Sequence, residues 1–228
     1  MKILCVSDEE KRALWDDFLP GKLDGYDLIL SCGDLKAEYL TFLVTMGRAR
    51  LLYVHGNHDE HYDLKPPEGC EDIDGHLVSF NGVRILGLGG CMRYSLDKYQ
   101  YTEKEMQKRV STLRRAVRKA GGVDIVIAHA PPRGVGDMED QAHRGFEAFL
   151  RLIDEFRPKY FLHGHTHLRY GARIPREIEY RGTKVINVSG QYEFEIPGGS
   201  YTPKEQGEVI WKTKHREQTG YGWDVFRL

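Results

Sequence analysis

The residues of this chain best suited to chemistry are carboxylates, imidazoles and one amide, grouped in short polar blocks. The blocks are Asp8-Glu9-Glu10, Gly33-Asp34, Gly56-Asn57-His58-Asp59, His129, and His163-Gly164-His165-Thr166-His167. The third block is the most heavily loaded. It follows the apolar run Leu51 to Val54 and precedes a proline-containing loop, so it reads as a strand that stops abruptly and presents an amide, an imidazole and a carboxylate in a row. Glycine lets the backbone bend there, and loops loaded in this way handle ions and substrates. An Asn-His-Asp turn is also a good structural turn, so the weight of the motif depends on the other blocks.

The elements around the blocks repeat one pattern. Ile3 to Val6 is a short strand ended by acidic residues, after which Leu14, Trp15, Phe18 and Leu19 at helical spacing predict a helix reaching Leu19. Tyr26 to Leu30 is a second strand, broken at Cys32-Gly33-Asp34 and followed by a helix from about Ala37 to Met46. Later, His76 to Phe80 and Val83 to Leu88 flank Asn81-Gly82, the dipeptide of a two-residue hairpin turn with both φ angles positive. Thr102 and Glu105 have the spacing of a capping box, opening a basic helix to about Lys119. Its Lys and Arg residues could suggest RNA binding, but Met106, Val110, Leu113 and Val117 keep helical spacing and favour a solvated helix with an apolar inner face. Val123 to Ala128 and Tyr160 to Leu162 are strands, Gly145 to Glu155 an amphipathic helix, and Ile178 to Tyr180 with Lys184 to Val188 a second hairpin. Beyond Gln191 the chain turns polar, with Glu208 to Trp211 as one further strand.

Every reactive block therefore follows a strand. In open α/β sheets ligands bind beyond the carboxyl ends of the strands, so residues far apart in sequence can meet in one crevice. Carboxylates, imidazoles and an amide without a thiolate suit hard or borderline divalent cations. The bulk numbers agree with a globular, non-basic protein. The 228 residues are 40% hydrophobic and 29% charged with a net charge of −1, which fits one domain and does not favour a dedicated nucleic-acid binder. Cys5, Cys32, Cys70 and Cys91 are widely spaced, no signal peptide is apparent, and no apolar run approaches the ~18 residues of a membrane span, which together predict a cytoplasmic protein.

In order and content the blocks resemble those of the calcineurin-like metallophosphoesterases: Asp-x-His, Gly-Asp, Gly-Asn-His-(Asp or Glu), a lone His, and Gly-His-x-His. The resemblance covers about residues 1 to 190. It implies a four-layer αββα sandwich of two mixed sheets, with a two-metal site at the C-terminal ends of the strands; with the chain's length, the expectation is a single domain spanning 1–228, its core at about 1–190 and residues 191–228 a C-terminal extension to which no structure is assigned beyond the strand at Glu208 to Trp211. Carried over, Asp34 bridges two cations. Asp8, Glu10 and His167 complete one site, and Asn57, His129 and His165 the other. His58 contacts the substrate phosphate or its leaving oxygen, and Asp59 holds the His58 ring. Glu10 stands where the family has histidine. It is read as an oxygen ligand, the alternative being that it turns away and leaves the first site weak or empty. Manganese or iron is favoured, with magnesium or zinc as further candidates.

The activity implied is hydrolysis of phosphate mono- or diesters, small phosphate esters or nucleotides, by a hydroxide bridging the two cations. Two rivals are a protein-interaction scaffold with a vestigial metal site and a nuclease using the same chemistry. His55, His61, His76, His163 and His215 match no block and are read as structural. Arg93, Tyr94, Arg133 and His143 lie in loops that could grip a phosphate or base; substrate choice is expected from the loops 60–71, 92–101 and 133–144.

Overall fold

In the computed structural model of the chain, residues 1–167 and 175–196 are described. In chain order the elements are β1 (Lys2–Ser7), β2 (Leu28–Ser31), α1 (Ala37–Gly47), β3 (Arg50–Tyr53), β4 (Glu71–Asp72), β5 (Leu77–Phe80) and β6 (Val83–Leu88). They continue with β7 (Cys91–Met92), β8 (Gln100–Tyr101), α2 (Glu103–Lys119), β9 (Ile125–Ala128), α3 (Glu147–Phe156), β10 (Tyr160–His163), β11 (Glu177–Tyr180), β12 (Thr183–Asn187) and β13 (Gly190–Glu195).

Alternation of side chains along the strands builds the layers. One sheet has the order β13-β1-β2-β3-β4 and the other β11-β12-β10-β9-β6-β5. Ile3, Leu28, Leu30 and Leu52 of the first sheet pack against Ile85, Ile125, Ile127, Leu162 and Ile186 of the second. On the outer face of the first sheet, Leu4, Ile29 and Leu51 pack with Tyr39, Leu40 and Leu43 of α1. On the outer face of the second, Leu86, Val126 and Phe161 meet Met106, Val110 and Leu113 of α2 and Phe149 and Leu152 of α3. The result is the four-layer αββα sandwich, with mixed sheets as anticipated.

Local signals act as read. Asn81 and Gly82 both take positive φ (48° and 79°) in the β5–β6 turn, and Arg181 and Gly182 do the same between β11 and β12. Thr102 accepts the Glu105 N–H while Glu105 accepts the Thr102 N–H, which closes the capping box of α2. Two expectations need correction. The segment after β1 is no helix to Leu19; a 3-10 turn at Arg12–Leu14 gives way to further turns. Its apolar residues are held by tertiary contacts instead, Trp15 against Tyr39 and Phe18 against Phe42 of α1, and Leu19 is left exposed. Second, the stretch from Gln191 does not begin as an extension: it forms β13, antiparallel to β1, with Phe194 paired to Ile3. The strand expected at Glu208–Trp211, and His215, lie outside the described residues.

Candidate metal centre

Five parallel strands, β1, β2, β3, β9 and β10, end at one rim, and each hands over a candidate residue: Asp8, Asp34, Asn57, His129 and His165. Turning a side chain from the end of a strand toward a common point requires unusual backbone. Asp8, Asp34 and His165 all adopt left-handed φ values, 63°, 57° and 66°. Such conformations cost of order 1–3 kcal/mol each and persist where surrounding structure enforces them. The neighbouring glycines are required by close approach: a Cβ on Gly56 would collide with the Asp34 carboxylate, and one on Gly164 with Ser7 and Asp8.

Asp34, His129 and His165 each turn one ligand atom into a group whose members lie within 4.8 Å of one another. The two imidazoles are oriented by backbone carbonyls. His129 Nδ1 donates to the Cys32 oxygen at 2.7 Å, which directs Nε2 at Asp34 Oδ2 (3.3 Å) and Asn57 Oδ1 (3.0 Å). His165 Nε2 donates to the Ala142 oxygen at 2.7 Å, leaving the Nδ1 lone pair for the cluster. Asn57 in turn donates through Nδ2 to the Tyr94 hydroxyl (3.0 Å), so its amide oxygen is the atom facing inward. Ligating histidines in metal sites use their second nitrogen in this way.

The electrostatics also suit a cation. Burial opposes charge on His129, but Asp34 outweighs it, and the imidazole is raised to about 9. Burial would raise Asp34 too, yet His129 and the His58 N–H carry it well below the ordinary carboxylate range. His165, buried and beside His129, is lowered to about 3 and stays neutral. Asp8 is pushed up, mainly by burial. Its Oδ1 accepts the His165 N–H at 2.8 Å, while its Oδ2 is buried with no hydrogen-bond partner among the described residues. A buried carboxylate oxygen without a donor is costly unless something positive meets it. The donor set, with this orphaned oxygen, therefore fits divalent cations. His167 is half-buried and close enough to lower Asp8 electrostatically.

Two expected residues behave differently. Glu10 is not brought to the cluster: its Oε1 accepts the Lys36 N–H at 3.2 Å and lies 3.8 Å from Lys36 Nζ. Asp59 does not hold the His58 ring. It is 1% exposed, and its Oδ2 accepts the N–H groups of Asp34 (2.8 Å) and Gly56 (2.7 Å), tying the two loops together. His58 is exposed, with its own N–H given to Asp34 Oδ1. Of the residues read as structural, His163 is buried and lowered to about 4 by that burial, and His55 stacks on Tyr99 at 4.4 Å. The Cys32 and Ala142 carbonyls have no signature in sequence, because every residue carries one. His143, suspected only as a rim residue, packs its ring 5.0 Å from that of His165.

Fold and site define the class. The sequence model of calcineurin-like phosphoesterases matches residues 2–169, and the chain belongs to that family. Among curated proteins it is similar to a lariat debranching enzyme of Caenorhabditis briggsae, 24% identical over 192 residues, covering 64% of this chain and 35% of that protein. It is also similar to a UPF0046 protein of Caenorhabditis elegans, 23% identical over 216 residues, covering 79% of this chain and 73% of the relative. The chain thus spans about a third of the length of the first relative and about three quarters of the second. Among solved structures, the protein TT1561 of Thermus thermophilus shares the fold at a TM-score of 0.53 and 14% identity, covering 83% of this chain and 89% of that one. The family implies divalent metal ions and hydrolase chemistry. No helix among the described residues is long and apolar enough to cross a membrane.

Proposed function

We propose that the protein is a dinuclear-metal phosphoesterase acting on phosphate mono- or diesters. The observation that carries the reading is the convergence of Asp34, His129 and His165 within 4.8 Å. In this reading Asp34, Asn57, His129 and His165 would hold one cation, and Asp34, Asp8 and His167 would hold a second. Glu10 joins the second set only if it leaves Lys36. Carboxylate, imidazole and amide donors favour manganese or iron, with magnesium and zinc as alternatives. When bound, the cations would lower the pKa of an attacking water and neutralise the phosphoryl oxygens. The chain supplies the rest. His58, exposed at the rim, donates to the phosphoryl or leaving oxygen, which is charge stabilisation at the reacting group. Asp59 positions Asp34 and Gly56 through their N–H groups, and Tyr94 keeps the Asn57 oxygen turned inward. The free cysteines, three of them buried, suit a reducing compartment and support a cytoplasmic setting.

A second reading, cleavage of a nucleic-acid phosphodiester, is favoured by the similarity to the lariat debranching enzyme. Both are tested by one panel of aryl phosphates, diesters, nucleotides and a branched lariat substrate, each assayed with manganese, iron, magnesium and zinc. Turnover that falls at least about 100-fold in Asp34→Asn is the expected result. Absence of turnover on every substrate, or full activity in Asp34→Asn, refutes the phosphoesterase reading.

A further inference from the structure

A cavity of about 610 Å³ is lined in part by Arg93, Arg133, Arg144, Gln141, Glu103 and Glu147. That volume falls in the range of small-molecule sites. Two stretches of its lining are next in sequence to residues that orient the candidate ligands. On one, Gln141 and Arg144 flank Ala142, whose carbonyl accepts from His165 at 2.7 Å. On the other, Arg93 immediately precedes Tyr94, whose hydroxyl accepts from Asn57 at 3.0 Å. The lining is therefore tied through the chain to the half of the site built by Asn57 and His165.

Its charge is arranged for an anion. Of the two carboxylates, Glu103 is committed to the N–H groups of Glu147 (3.0 Å) and Ala148 (2.8 Å) at the start of α3, and Glu147 lies 3.6 Å from Arg151. The arginines are held but not used up. Among the described residues, Arg93 makes its side-chain bonds to Glu105 and to the Gln100 carbonyl through Nη2. Arg133 gives one bond from Nη1 to Asp137 (2.7 Å) and one from Nη2 to Glu139 (2.8 Å). A guanidinium carries five N–H donors, so each fork is fixed in place with donors to spare. Arg144 makes one long contact, 3.5 Å to the Glu139 carbonyl oxygen, and no hydrogen bond to a carboxylate among the described residues, although its charge also acts on the Glu139 carboxylate. Guanidinium forks match phosphate oxygens in geometry as well as charge.

We propose that this cavity holds a second phosphate of the substrate, with Arg144 as its main contact and Arg93 and Arg133 beside it. The preferred substrates are then phosphate esters that carry two phosphate groups, one at the Asn57–His165 side of the metal centre and one in the cavity. The assignment deepens the phosphoesterase reading and rests on it for the reacting phosphate, but the cavity's affinity can be measured separately.

The test is calorimetric titration of the full chain, treated with chelator, with adenosine 3′,5′-bisphosphate and with adenosine 5′-monophosphate. The bisphosphate should bind at least about tenfold tighter. Arg144→Ala should abolish that preference, and Arg144→Lys should restore part of it, since the charge returns without the fork. With manganese added, the ratio of kcat/KM for the two nucleotides should follow the same order across the variants. Equal affinity for the two nucleotides, or a preference that survives in Arg144→Ala, overturns the proposal. If the preference is present and depends on Arg144 but the manganese-loaded protein hydrolyses nothing, the cavity assignment stands and the phosphoesterase reading fails.

Discussion

Asp59 offers a perturbation whose size follows from the geometry. Its buried carboxylate oxygen receives two backbone N–H groups, from Asp34 at 2.8 Å and from Gly56 at 2.7 Å, so one atom joins the ends of β2 and β3. Hydrogen bonds to a charged acceptor contribute about 1.5–3 kcal/mol each, and an unmatched buried donor costs about 1–3 kcal/mol. Asp59→Ala strands both donors and should lose about 4 kcal/mol, or about 10 °C in Tm for a chain of this size. Asp59→Asn keeps an acceptor oxygen in place. Burial, then the nearby Asp34, raises the Asp59 carboxyl above its unfolded value. A raised acid pKa means that its charge detracts from stability above the folded pKa, a cost that fades as the pH falls through it. The neutral amide avoids that cost at pH 7, so Asn should lose only about 1–1.5 kcal/mol, roughly half the strength of the charged bonds being lost and part of that offset. Urea unfolding of both variants after chelation measures the difference directly. A loss below about 1 kcal/mol for Ala, or equal losses for the two variants, would show that this carboxylate does not join the loops as described.

Glu10→Gln should leave the bound metal per chain unchanged, measured by elemental analysis, because the amide can accept the Lys36 N–H just as the carboxylate does; a fall in metal content would instead make Glu10 a ligand. Thr102→Ala removes the side-chain half of the α2 capping box and should cost about 1 kcal/mol in denaturant unfolding. Manganese at about 100 times its Kd should stabilise chelated protein by about 2.7 kcal/mol. That is a rise of about 5–10 °C in Tm, and Asp34→Asn should show little of it.

Much of this architecture was legible because local and long-range signals agreed. Apolar runs marked the strands, Asn81-Gly82 and Thr102-x-x-Glu105 marked a turn and a helix start, and the polar blocks stood at strand ends where the fold makes them meet. The failures have a common cause, which is that tertiary partners decided. The apolar residues after β1 had helical spacing, yet Tyr39 and Phe42 of α1 draw Trp15 and Phe18 into turns. β13, with its Gln, Tyr and Glu residues, reads as polar because only alternate positions face inward and β1 supplies its hydrogen bonds. At the site, residue types indicated candidate ligands but not directions. Glu10 turns to Lys36 and Asp59 to backbone N–H groups, and Asp8 and Asp34 take left-handed backbone, which non-glycine residues rarely adopt and sequence does not announce.

The pairing of β13 with β1 also sets an order of events during folding. β1 lies between β2, which follows within about thirty residues, and β13, whose residues 190–195 arrive last among the described strands. Until then one side of β1 offers unpaired N–H and C=O groups along an apolar strand, the kind of edge that recruits foreign strands. Closing it requires contacts such as Ile3 with Phe194, nearly the longest separation available in the described chain, and such pairings are slow to form. Because Asp8 follows the last residue of β1, the rim that carries the candidate ligands should be set firmly only after this late closure. A chain cut before Gly190 should therefore aggregate before it can bring Asp8 to the candidate metal centre.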